Sequence, residues 1–120
     1  MNKIIILPAI LLAVLSFNAF AHTASIDHPT TSEATKMQQE LNNSMHKMHA
    51  AMAKSTNMKN PDVAFANGMI AHHLGAIDMA NIELKYGKDI EMRKLATAIV
   101  KAQETEIKQM QKWLEKIKTF

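Results

Sequence analysis

The sequence contains no cysteine among its 120 residues, and its aromatic residues are one tryptophan, one tyrosine and four phenylalanines. The absence of cysteine excludes disulfide scaffolds, thiolate zinc sites and cysteine nucleophiles. So few aromatic side chains argue against a strand-rich domain. Charge of either sign is also modest, with 14 Lys plus Arg against 11 Asp plus Glu and a net charge of +3. The length of 120 residues predicts a single domain, and so mild a positive charge, not clustered into a basic block, predicts no nucleic-acid partner.

Methionine and histidine are abundant by contrast, with ten Met and six His. Thioether and imidazole groups are the ligands that soft metal ions, Cu(I) above all, prefer. Methionine is also the sulfur residue suited to an oxidising compartment, where thiols are drawn into disulfides. The composition therefore makes soft-metal binding the first hypothesis.

The first 21 residues have the pattern of a secretory signal peptide. Lys3 precedes an apolar run at residues 4–17, and Ala-Phe-Ala at 19–21 fits a signal peptidase site. The alternative is an uncleaved anchor, but the apolar run is shorter than the roughly 20 residues of a spanning helix. We expect cleavage after Ala21, no stable membrane anchor afterwards, and a periplasmic protein.

Residues 22–31 are polar, contain Pro29 and show no periodicity, which predicts a flexible N-terminal arm. If His22 becomes the first residue, its α-amine and imidazole can chelate Cu(II), with His28 nearby. The alternative is an ordinary disordered terminus. The sequence does not decide between them.

Residues 32–120 are predicted to form an all-α helical-bundle domain. Apolar residues recur at spacings of three and four, and the pattern predicts three helices, at about residues 32–54, 61–86 and 89–118. Thr30 and Glu33 predict a capping box before the first helix, Asn60-Pro61 predicts the start of the second, and Gly87 its end.

Short links between these helices favour an antiparallel bundle of three long helices. The three can close as a three-helix bundle, or two copies can complete a larger bundle as a homodimer. Both possibilities remain open at this stage.

Polar residues interrupt the predicted core. Projection at 100° per residue places His73 within the apolar stripe of the second helix, and Glu106 and Gln103 in the middle of the apolar face of the third. His72 instead falls on the flank of the second helix, with Met79. One interpretation is a buried His73–Glu106 hydrogen bond that fixes helix register. The other is a metal site.

Methionines accompany the two core residues at helical spacing. Met69 lies four residues before His73, and Met110 lies four after Glu106. Residues four apart share one helical surface, so imidazole, carboxylate and thioether could meet a single ion.

The run at residues 45–52 carries the strongest metal signal. Met45, His46, Met48, His49 and Met52 are spaced by three and four, so several ligand pairs can form on one and a half turns of helix. The alternative is a methionine packing stripe. Because His49 lies at the edge of that stripe and His46 beyond it, packing does not explain the imidazoles, and we expect metal binding.

Two segments together, FANGMIAHHLGAIDMA at 65–80 and QETEIKQMQKWL at 103–114, resemble the domain of unknown function 305 family. The resemblance covers about residues 62–116, and it implies a secreted bacterial protein with a ferritin-like helical bundle, a family with copper-binding members in the periplasm. Its characteristic positions map to Met69, His72, His73, Met79, Gln103, Glu106 and Met110. The run at 45–52 lies outside this part, and we interpret it as an addition of this chain or its near relatives.

The sequence therefore predicts a periplasmic copper-binding protein for sequestration, transfer or resistance. Cu(I) is favoured, Ag(I) is a surrogate and Cu(II) an alternative; the expected partner is a copper efflux or oxidation system. The predicted metal ligands are Met45, His46, Met48, His49, Met52, Met69, His72, His73, Met79, Glu106 and Met110.

Two other functions compete. A di-iron enzyme needs Glu-x-x-His pairs on facing helices, which this sequence lacks, so we expect no enzyme. A metal-free periplasmic chaperone or adaptor would use methionine-rich faces as adaptable surfaces for apolar segments. It would have an exposed methionine stripe and no dependence on histidine.

Overall fold

The computed structural model describes residues 30–118, which contain three α-helices and no strand. The helices are α1 (Thr31–Ser55), α2 (Pro61–Tyr86) and α3 (Ile90–Ile117). The all-α prediction is confirmed. The predictions of a signal peptide at 1–21, and of a copper-chelating His22, lie outside the described residues.

Local capping sets the beginning of each helix. Thr30 and Glu33 form the reciprocal capping box at α1. The Asn60 side chain accepts hydrogen bonds from the first backbone amides of α2, directly before Pro61. Asp89 does the same for α3, which therefore starts one residue later than predicted. The start signals thus act as predicted.

The helices form an antiparallel layer with α2 in the centre. α1 and α3 each pack against α2, and among residues 30–118 no Cα atom of α1 lies within 8 Å of one in α3. Within this part of the chain, α1 and α3 therefore do not pack against each other. No helix in the described part combines the length and apolarity required to cross a membrane.

Two glycines allow α1 and α2 to approach closely. A Cβ atom on Gly75 would lie 2.5 Å from the sulfur and 3.0 Å from the Cβ of Met48. One heptad away, a Cβ on Gly68 would lie 2.9 Å from the Ser55 hydroxyl oxygen. Met48 therefore packs against α2 at Gly75, a position without a side chain.

The buried core is thin and consists mostly of small side chains. Its apolar members within the described residues are Ala66, Ala71, Ala80, Ile82, Ala96 and Ile107. On α3 the buried positions are Ala96 and Ile107, whereas Met92 and Leu95, which the projection also placed on the buried face, are about half exposed. Because α2 is the only helix of residues 30–118 that packs against α3, much of the apolar stripe of α3 is not covered by this part of the chain.

A polar cluster joins the beginning of α1 to the end of α2. The Glu40 carboxylate accepts hydrogen bonds from the Lys85 ammonium and, at 2.9 Å, from the Tyr86 hydroxyl. The bond from Lys85, helped by the bond from Tyr86, lowers the pKa of Glu40, and the same carboxylate raises the pKa of Lys85. The cluster fixes the antiparallel pairing at this end of the layer.

We expect Glu40→Gln to lower stability slightly at neutral pH and to have no effect in acid. A carboxyl whose folded pKa is lowered stabilises the fold above its ordinary pKa of 4.5, and this contribution is lost as the pH falls through the folded value. The measurement is the urea midpoint of both proteins between about pH 7 and pH 3, where the difference should close. A difference that stays constant would contradict the assignment.

Candidate metal-binding site

His73 forms the centre of the α2–α3 interface. Its side chain is buried, with 5% of its surface exposed. The Nε2 atom lies 2.5 Å from Oε2 of Glu106 on α3. The other ring nitrogen, Nδ1, is buried and has no hydrogen-bond partner among the described residues. The hydrogen-bonded pair that the sequence suggested is therefore present, and it leaves one imidazole nitrogen free.

The placement of Glu106 corrects the prediction of a buried carboxylate. Its side chain is 57% exposed, because within residues 30–118 α3 packs against α2 and α1 does not reach it. Gln103 is half-buried, and its Oε1 atom is buried without a partner in the described part. Gln103 therefore does not join the pair through that oxygen.

Two methionines lie one helical turn from the His73–Glu106 pair. Met69 precedes His73 by four residues and Met110 follows Glu106 by four. Because α2 and α3 are antiparallel, both thioethers lie on the same side of the pair, about 6 Å along the helix axis. Met110 also lines a cavity of about 350 Å³ together with Phe65 and Trp113.

We expect Glu106→Ala to lower the free energy of unfolding by about 1–3 kcal/mol, because His73 Nε2 would stay buried without its partner. The measurement is urea unfolding of the metal-free protein. Glu104→Ala is the matched control, since Glu104 is exposed and makes no hydrogen bond or ion pair within residues 30–118. Equal stability of the two variants would show that the pair contributes nothing.

The run at 45–52 is divided between packing and solvent. Met48 contacts α2 at Gly75 and Met52 is half-buried, whereas Met45, His46 and His49 are exposed. Neither imidazole makes a hydrogen bond within the described chain. His46 lies about 160° around α1 from Met48 and so faces away from α2.

The two sides of the helical layer differ in chemistry. On one side, a groove between α1 and α2 is lined by charged groups that include Glu40, Lys47, Asp78 and Lys85. Lys47 and Asp78 form an ion pair at 3.8 Å. On the other side, a mostly apolar groove is lined by residues that include Leu41 and Met79.

Helical spacing assigns more residues to the side of that apolar groove. On α1, Met45 and Met52 follow Leu41 by four and eleven residues, with His49 between them; on α2, His72 precedes Met79 by seven. We call this surface the Met/His face, defined as Met45, His49, Met52, His72 and Met79. Three members of the run on α1, Met45, His49 and Met52, thus lie on the same side of the layer as the exposed His72 of α2.

His72 and His73 have separate environments although they are adjacent in sequence. His72 is exposed, and its ring centroid lies 6.2 Å from that of buried His73. His72 makes no hydrogen bond in the described part of the chain. The opposite placement of the two rings agrees with the helical projection.

Oxygen and nitrogen ligands alone do not form a metal site in residues 30–118. No group of three His, Asp or Glu side chains there could hold an ion.

The fold and these surfaces define a small protein of three antiparallel helices with an exposed face of methionine and histidine. The chain belongs to the family described as Domain of unknown function (DUF305), whose sequence profile matches residues 17–114. The match includes the run at 45–52, so our interpretation of that run as lying outside the family region was wrong. No curated protein matches the chain.

Proposed function

We propose that this protein binds Cu(I), and Ag(I) in its place, through methionine and histidine ligands. One observation carries the proposal. His49 and His72 are exposed, make no hydrogen bond within residues 30–118, and lie with Met45, Met52 and Met79 on the same side of the layer. The ring of His72 contacts that of His73, but the ring nitrogens of His49 and His72 make no hydrogen bond in the described chain and are free to coordinate.

The chemistry of these ligands suits storage and transfer. Thioethers are soft and neutral, so they bind a soft monovalent ion without the competing proton that a thiol would carry. A site on an exposed surface allows the ion to exchange with a partner. Together with the signal sequence pattern at 1–21, this supports sequestration of copper in the periplasm, or delivery to an efflux or oxidation system.

A second ion would occupy the α2–α3 interface. His73 would bind it through Nδ1, because Nε2 is held by Glu106. Met69 and Met110, one turn away on the two helices, would supply the thioethers. The role of Glu106 here is to orient the ring through its other nitrogen, as carboxylates commonly do for metal-binding histidines.

A titration of the purified protein with Cu(I), in competition with a chromophoric chelator, tests the proposal. We expect saturable withdrawal of copper at a small whole-number ratio. Fluorescence of Trp113 should be quenched as the second site fills, since Trp113 and Met110 line the same cavity. Failure to withdraw copper, with unchanged fluorescence, would reject both sites.

A metal-free chaperone or adaptor is the second candidate, favoured by the half-exposed Met79, Met92 and Leu95. Flexible methionine side chains adapt to varied apolar segments. The two candidates differ in their dependence on histidine. Apolar capture that survives the loss of His49 and His72, in a protein that withdraws no copper, would favour the chaperone.

A further inference from the structure

One methionine from each helix lines the apolar groove at the end of the layer where α1 begins. The groove has a volume of about 530 Å³, and its lining includes Met37 of α1, Met79 of α2 and Met92 of α3. The periodicity within one helix does not determine that these three methionines line the same groove, because each belongs to a different helix. Their common position results from the antiparallel arrangement of the helices.

Packing buries these three side chains only in part. Met79 is 47% exposed and Met92 48% exposed, while Met37 is half-buried. Large apolar groups that stay half exposed gain little from burial. Their thioether sulfurs therefore border a space that is open to solvent and ions.

One unpaired carboxylate borders the same groove. Glu83 lies over Gly87, where a Cβ atom would overlap its carboxylate oxygens, and the carboxylate has no hydrogen bond or ion pair among residues 30–118. Asp89 caps α3 and the Tyr86 hydroxyl donates to Glu40, and the exposed Lys88 also lines the groove. The two carboxylates, Glu83 and Asp89, outnumber the one ammonium group of Lys88. A net negative charge beside neutral sulfur ligands favours a cation.

We propose that Met37, Met79 and Met92 form a thioether-only site for one soft monovalent ion, with Glu83 supplying the compensating charge. This inference rests on the proposed function and deepens it, because it adds a site without histidine, which shares Met79 with the Met/His face. Its thioether ligands are neutral and carry no proton that a metal ion must displace.

The test uses protein labelled with ¹³C at the methionine methyl groups and titrated with Ag(I) at about pH 5 and about pH 7. At the lower pH, we expect the methyl resonances of Met37, Met79 and Met92 to shift together over one equivalent of Ag(I). Shifts confined to Met45 and Met52 would overturn the inference and leave the proposed function intact.

Variants provide the second readout. Met37→Leu/Met92→Leu conserves side-chain volume and should keep the fold, which circular dichroism checks. We expect it to lose one equivalent of Ag(I) at about pH 5, whereas the control Met58→Leu, in the α1–α2 link, loses none. Equal binding by the two variants overturns this site. Absence of Ag(I) binding by the wild type at both pH values rejects the proposed function as well.

Discussion

Replacing His46 and His49 together by alanine is expected to lower the Cu(I) stoichiometry of the protein without changing its helix content. Both side chains are exposed and make no hydrogen bond in the described chain, so their loss costs the fold little. Loss of a ligand's hydrogen-bond partner lowers metal affinity roughly 10–100-fold. Loss of the ligand itself should lower the affinity for any ion that remains on the Met/His face by at least as much.

The two single variants should differ. His49 lies on the Met/His face, whereas His46 faces away from α2, so we expect His49→Ala to account for most of the loss. Asn42→Ala, at another exposed position of α1, is the control for nonspecific effects. Competition titration gives the stoichiometry and circular dichroism the helix content. Unchanged stoichiometry would move the copper site to His73 and Met110.

Gly75→Ala is expected to destabilise the protein by about 1–2 kcal/mol, although alanine is the better helix former. The gain in helix propensity is at most about 1 kcal/mol. Against it, the new methyl group would lie 2.5 Å from the sulfur and 3.0 Å from the Cβ of Met48. Because the Cβ is fixed to the backbone, α1 and α2 must separate, and overpacking of this kind costs about 1–3 kcal/mol.

Gly68→Ala is the matched control for Gly75→Ala. Its methyl group would meet chiefly the hydroxyl of Ser55, which can rotate away only by giving up its 2.7 Å hydrogen bond to the Met52 carbonyl. The gain in helix propensity offsets this cost, so we expect little change in stability. Thermal unfolding should separate the two variants by roughly 4–8 °C for each kcal/mol. In Gly75→Ala, a second change of Met48→Ala should restore part of the loss. Equal melting temperatures of the two glycine variants would contradict the close contact.

The open layer links stability to function in this protein. Since α2 is the one described helix against which α3 packs, apolar and thioether groups of α3 such as Met92 and Leu95 stay about half exposed instead of filling a core. The same openness exposes Glu106 while the His73 ring stays buried beneath it. Thioether and imidazole groups therefore stay accessible to solvent, and less apolar surface is buried.

The helices themselves could be predicted from sequence because their signals are local. Thr30 with Glu33, Asn60 with Pro61, and Gly87 act within one turn of the chain, and each predicted terminus lies within one residue of the structure. The division between exposed His72 and buried His73 followed from the helical period, since adjacent residues differ by about 100°. The abundance of soft ligands is likewise a property of composition.

Tertiary structure decided which methionines pack and which remain exposed. Met45 and Met48 are indistinguishable by type and spacing, yet Met48 lies over Gly75 because of the register between α1 and α2. That register depends on contacts between residues far apart in sequence, which no local pattern encodes. The exposure of Glu106 and the position of Met37 and Met92 along one groove have the same origin, because both depend on the tertiary arrangement of the helices.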